Sequence, residues 1–109
     1  MRHFRTFNET LEEHYRQHPE ELDSFLSVAF EEYAQDKDTA ALLSALRLIS
    51  RVKGVSSTAG AAHMTRKGVQ KALTEGAKPR FESIAAILDA MGYCLVPKPT
   101  NTHSLPLQQ

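Results

Sequence analysis

The chain has 109 residues, 41% of them hydrophobic, and its 13 basic and 13 acidic residues give a formal net charge of zero. That is enough for one domain with a modest core and short appendages, and no apolar run approaches the roughly 20 residues that cross a bilayer. Met1-Arg2-His3-Phe4-Arg5 is followed by polar residues, so no secretory signal is visible; the single Cys94 permits no internal disulfide and points to a reducing, cytoplasmic setting.

The chain reads as a string of short helices, an all-α fold. Thr6 with Glu9 three residues on is a capping-box pattern that opens a first helix. That helix should end before Pro19, which suits the first turn of a second because its missing N–H is not needed there. Leu22, Phe25, Leu26, Ala29, Phe30 and Tyr33 follow at spacings of three and four, one apolar stripe. Asp36-Lys37-Asp38 interrupts it, and Asp38 is the N-cap expected for a third helix with Leu42, Ala45, Leu46, Ile49 and Val52 on one face. Gly54 suits a helix end that wants positive φ. Ser56 or Ser57 is expected to cap a very short fourth helix running to about Ala62, and Thr65 a fifth running to about Thr74. Glu75-Gly76-Ala77-Lys78-Pro79 predicts a turn. A sixth helix should face Phe81, Ile84, Ile87, Leu88 and Met91 inward and end at Gly92. Tyr93-Cys94-Leu95-Val96 predicts a short strand, stopped by Pro97 and Pro99, with Cys94 buried and inert in it. Three regions result: acidic helices over 1–38, a helical unit with its strand over 39–97, and a polar, disordered tail over 98–109.

Charge divides along the same boundary. Residues 1–38 hold ten acids against four bases, and the remainder holds nine bases against three acids. Within 47–80 the bases Arg47, Arg51, Lys53, Arg66, Lys67, Lys71, Lys78 and Arg80 face Glu75 alone. The basic part favours phosphate and the acidic part a basic partner, unless the charges merely solvate two helical surfaces.

Residues 57–73 carry the most specific local pattern. Two short helices joined by about three residues can cross steeply only if their contact is small, and Ala59 supplies that small residue. Ala62 and Met64 bracket the turn, and Val69, Ala72 and Leu73 give the second helix an inward face. Arg66, Lys67, Gln70, Lys71 and Thr74 project from its other side, a basic and amide-rich surface of the kind that reads base edges in a groove. Thr65 at the helix N-terminus can hold a phosphate. His63 stands where a turn glycine is usual, Thr58 where an apolar residue is usual, and Gly60 and Gly68 each cost about 1 kcal/mol inside a helix. The bland alternative is a helical bundle with a basic edge.

Residues from about Leu22 to Val96 resemble the HigA-like addiction-module antitoxins with a Cro/repressor-type helix-turn-helix. The carrying stretches are Phe30-Glu31-Glu32-Tyr33, Leu42-Leu43-Ser44-Ala45-Leu46-Arg47, Met64 to Leu73, Gly76-Ala77-Lys78-Pro79-Arg80-Phe81, and Met91-Gly92-Tyr93-Cys94-Leu95-Val96. The resemblance implies a repressor-like bundle with two roles. It would neutralise a RelE/HigB-like toxin, a ribosome-dependent mRNA endonuclease, and bind its own operator as a dimeric autorepressor. By similarity Arg66, Lys67, Gln70 and Lys71 would read bases or grip phosphate, with Thr74 beside them and Ser57, Thr65, Lys78 and Arg80 near the backbone. Toxins of that kind are basic, so Glu12, Glu13, Glu20, Glu21, Asp23, Glu31 and Glu32 would suit toxin contact.

A lone strand needs a partner. The same strand of a second copy would make a two-fold dimer through Tyr93, Cys94, Leu95 and Val96, spacing two recognition helices about 34 Å apart on a palindrome; pairing with Arg2–Arg5 is the alternative. His14 and His18, at i and i+4, could share a metal, but no third ligand is evident in the sequence, so neither metal nor cofactor is expected. No nucleophile–base pairing or phosphate loop is visible, and an enzyme is not expected. Two rivals stay open: a free-standing helix-turn-helix regulator, and a protein-interaction module whose DNA binding has decayed.

Overall fold

A computed structural model describes residues 7–100. Six α-helices appear in it: α1 (Phe7–Gln17), α2 (Leu22–Asp36), α3 (Thr39–Lys53), α4 (Val55–Ala61), α5 (Arg66–Leu73) and α6 (Phe81–Ala90), with a 3-10 turn over Pro19–Glu21 between the first two. Among the described residues there is no strand, and no helix is long and apolar enough to cross a membrane. Thr6, the Arg2–Arg5 segment and residues 101–109 of the expected tail lie outside the described residues.

Local chemistry sets most of the boundaries. Proline takes the first position of the 3-10 turn, where its missing N–H costs no hydrogen bond. α2 ends on Lys37 in the left-handed conformation (φ 55°), and Asp38 caps α3 by accepting a hydrogen bond from the Ala41 amide at 3.1 Å. Gly54 has φ 104° and closes α3. α4 differs from expectation: it starts directly at Val55, so Ser56 and Ser57 lie in its first turn and neither hydroxyl caps it. Gly54 is the single residue between the two helices.

α3 is the axis of the fold. One apolar face was expected, but Leu43, Ala45, Leu46, Leu48, Ile49 and Ser50 are all buried, and Leu46 and Ile49 have no exposed surface. Its Leu42, Ala45 and Leu48 side borders α1 and α2, while Arg47, Ser50 and Arg51 face α5. Leu22 and Leu26 of α2 therefore belong to the same core as Ala59, Val69, Leu73, Ile87, Leu88 and Met91. Tyr15 of α1 and Phe25 of α2 meet with ring centroids 5.1 Å apart, closing the two helices together near the 3-10 turn.

Three expectations about the C-terminal part are corrected. Phe81 is 73% exposed, not inward: it is the first residue of α6, one turn short of the point where Ile84 meets the core. Residues 93–96 form no strand, because no segment among the described residues offers them a ladder. Instead the Tyr93 amide donates to the Leu88 carbonyl at 2.9 Å, and its hydroxyl donates to Asp23 Oδ1 at 2.8 Å, tying the end of α6 to α2. Burial, then the bond to Asp23, push the Tyr93 hydroxyl pKa up to about 12, and Lys53 Nζ lies 5.5 Å from the ring centroid. Cys94, without a strand to bury it, is exposed.

The packing separates two substitutions that periodicity alone would equate. Leu46→Ala should cost about 2–5 kcal/mol in urea unfolding, whereas Phe81→Ala should stay within about 0.5 kcal/mol of the parent. Comparable losses at both positions would restore Phe81 to the core.

Candidate nucleic-acid interface

α4 and α5 are joined by residues 62–65, and the turn closes through backbone geometry. His63 takes φ 58°, its amide donates to the Gly60 carbonyl at 3.2 Å, and the Met64 amide donates to the Ala59 carbonyl at 2.9 Å. These are the paired bonds of a Schellman ending, with histidine where glycine is commonest. Thr58 and Ala59 of α4 are each 3% exposed. Thr65 Oγ1 accepts from the Gly68 amide at 2.9 Å and caps α5. A Cβ at position 68 would lie 3.0 Å from that oxygen, so the glycine makes room for the cap. A Cβ at Gly60 would meet nothing within 4 Å.

α5 buries Val69 and Leu73 and exposes Arg66, Lys67, Gln70 and Lys71, with Thr74 exposed at its end. The structure thus places four of the five side chains singled out from the sequence on one helix, with Thr74 as the residue that ends it. Ser57 is exposed on α4, and Lys78 and Arg80 are exposed on the loop before α6. A depression of about 540 Å³ runs between α5 and that loop, with Lys71, Lys78, Arg80 and Ser83 on its walls.

A second depression, of about 440 Å³, lies on the opposite flank of α5, and sequence reasoning missed most of it. Arg16, Arg47, Arg51, Arg66, Gln70 and Thr74 line it. The Arg47 guanidinium donates to the Leu73 carbonyl at the C-terminal end of α5, where a cation also meets the negative end of the helix dipole. Arg66 Nη1 donates to Ser56 Oγ at 2.9 Å, tying the start of α5 to the first turn of α4. Arg16 Nη2 donates to Glu12 at 3.2 Å, and Arg51 Nε forms an ion pair with the same carboxylate at 3.1 Å. Arg47 and Arg51, one turn apart in a basic stretch, carried a readable signal; Arg16, inside the acidic half, carried none. Two basic channels with an exposed basic and amide-bearing helix between them can hold a polyanion on both flanks of a central reading surface.

The acidic residues do not gather into one surface. Glu12 is 8% exposed and clamped between two arginines. Gln17 donates to Glu13 at 2.9 Å, and Asp23 accepts from Tyr93. Glu21 is 2.8 Å from His14 Nε2, and that hydrogen bond, the largest influence on it, holds its carboxyl below the usual range. Glu20 lies 3.4 Å from His18, and Glu31 and Glu32 are exposed on α2. The carboxylates that sequence reading could not place beside the histidines are thus Glu20 and Glu21: the ligand atoms of His18, Glu20 and Glu21 lie within 4.8 Å of one another, all on exposed residues. Of the four C-terminal residues, Tyr93 is half-buried and Cys94, Leu95 and Val96 are exposed.

A family model described as probable addiction module antidote protein matches residues 7–98. No curated protein and no solved structure gives a significant match to the chain.

The two helical glycines should behave oppositely. Gly60→Ala should raise stability by about 0.5–1 kcal/mol, since it removes only unfolded-state freedom. Gly68→Ala should gain nothing or lose stability, because its methyl presses on the capping hydroxyl. Paired thermal melts check this, and equal gains at both sites would show that the cap tolerates a Cβ.

Proposed function

Since the chain belongs to the family of probable addiction module antidote proteins, we propose that it is the antitoxin of a type II toxin–antitoxin module, HigA-like, neutralising a RelE/HigB-like mRNA endonuclease and repressing its own operator. The DNA-binding unit is a Cro/repressor-type helix-turn-helix made of α4 and α5, working in the cytoplasm. The observation that carries this reading is α5 itself, which presents Arg66, Lys67, Gln70 and Lys71 to solvent between two basic channels. In a major groove, α5 would offer Gln70 to an adenine edge and Arg66 or Lys67 to guanine. The channels would then face the two phosphate backbones, with Arg47 and Arg51 on one side and Lys78 and Arg80 on the other. A two-fold dimer would set two copies of α5 about 34 Å apart on a palindrome.

Toxin recognition falls to the acidic N-terminal helices in this reading. Glu31 and Glu32 are better placed for it than Glu12, whose carboxylate is already held by Arg16 and Arg51.

Binding to DNA from upstream of the gene, measured over a salt series, tests the DNA half. Affinity should fall steeply with salt as phosphate contacts release counterions; binding that ignores salt, or that matches random DNA, sinks it. Gln70→Ala should cost about 1–3 kcal/mol on the operator and relax base preference, while Lys78→Ala should weaken all DNA alike and lower the salt slope by about one. Restored growth when the chain is co-expressed with the small basic toxin tests the other half.

Glu12→Gln separates positioning from masking. Losing the carboxylate should lower stability by about 1 kcal/mol, the partly exposed arginines limiting the effect. The released guanidinium charge should tighten DNA binding and steepen its salt dependence. Weaker DNA binding at unchanged salt slope would instead show that Glu12 acts by positioning Arg16 and Arg51.

A further inference from the structure

α1 and α2 both pack on α3 and are closed together at Tyr15 and Phe25. Beyond that contact a groove of about 260 Å³ lies between them. Its floor is apolar, built from Leu11, Phe25 and Leu42, and its mouth carries Phe7 and Val28, which are 77% and 49% exposed. Large apolar side chains that exposed, at the edge of an apolar groove, mark a surface that a partner covers. Its rim is acidic: Glu32, Asp36 and Asp38 line the same groove. The Asp36 and Asp38 carboxylates each accept one local amide hydrogen bond, which leaves their charge in place.

We propose that this groove is the docking site for an amphipathic helix of the toxin, seated by apolar side chains and flanked by lysine or arginine. The identity of the partner rests on the antitoxin reading; the chemistry of the segment rests on the groove. An apolar cavity of about 150 Å³ holds one benzene-sized group, so the volume admits roughly two apolar side chains, one helical turn apart. Basic residues beside them meet Glu32, Asp36 and Asp38, and an acidic helix is repelled. The helix-in-groove mode needs no rearrangement of α3, whose Leu42 and Leu48 already form the base. The surface lies across α3 from the arginine-lined channel, so toxin and DNA can be held together by one chain.

The test uses the full chain and a probe helix of about four turns, with leucines on one face and lysines on the other, read by fluorescence polarisation. The Leu/Lys peptide should bind saturably, and a Leu/Glu counterpart and a scrambled Leu/Lys peptide should not. Val28→Asp, at a position that is 49% exposed, and the pair Glu32→Lys with Asp36→Lys should each weaken binding by about tenfold or more. Equal binding of the scrambled peptide, or no effect of either variant, overturns the proposal. Deleting residues 1–6 should leave the affinity unchanged; a tenfold gain would mean that the chain's own N-terminus occupies the groove. Loss of a dimer in Val28→Asp would assign it to a second copy. Both of those outcomes also overturn it. Full rescue from the toxin by Val28→Asp sinks the groove but leaves the antitoxin reading, whereas peptide binding by a chain that rescues nothing does the reverse.

Discussion

Burial of α3 on opposite sides joins everything else in this molecule. Leu46 and Ile49 have no exposed surface, and fully burying such a side chain is worth about 1.5–3 kcal/mol. A helix sunk that deeply must be covered on more than one face. α1 and α2 cover the side of Ala45 and Leu48, and α5 covers the side of Arg47 and Ser50. The acidic and basic parts of the chain are thus held against one rigid element, and what touches one side is placed relative to the other.

That arrangement explains why the charge asymmetry is not a simple division into two faces. Arg51 leaves α3 toward α5 but is met there by Glu12, reaching round from α1. The same carboxylate holds Arg16, so the acidic helix contributes a cation to the basic channel and an anion that restrains it. Glu21 and Asp23 are likewise taken up by His14 and Tyr93. The acidic charge beside an apolar surface lies farther along α2, around Glu32, Asp36 and the cap residue Asp38. The two sides of α3 therefore carry opposite charge.

The features that looked weakest around residues 58–68 have local physical reasons. His63 adopts the left-handed conformation, and two backbone bonds close the turn around it. Gly68 gives space to the Thr65 hydroxyl that caps α5. Gly60 has no such reason, since a methyl group there would touch nothing.

Helix order, the caps at Asp38 and Thr65, the positive φ at Gly54 and the outward side chains of α5 were all legible in the amino-acid sequence. Each depends on hydrogen bonds and periodicity within a few residues, which the chain specifies locally. The family was legible too, from stretches such as Gly76-Ala77-Lys78-Pro79-Arg80-Phe81 that resemble its members. The second buried side of α3, the exposure of Phe81 and Cys94, and the absence of a strand at 93–96 among the described residues were not legible. Those outcomes depend on which elements meet, and periodicity names a face without naming its cover. The same holds for Glu12 and Arg51, far apart in sequence and read as belonging to opposite jobs. Arg16 meets Glu12 one turn along α1, a local pair, but only the packing of α1 on α3 brought the Arg51 guanidinium to the same carboxylate.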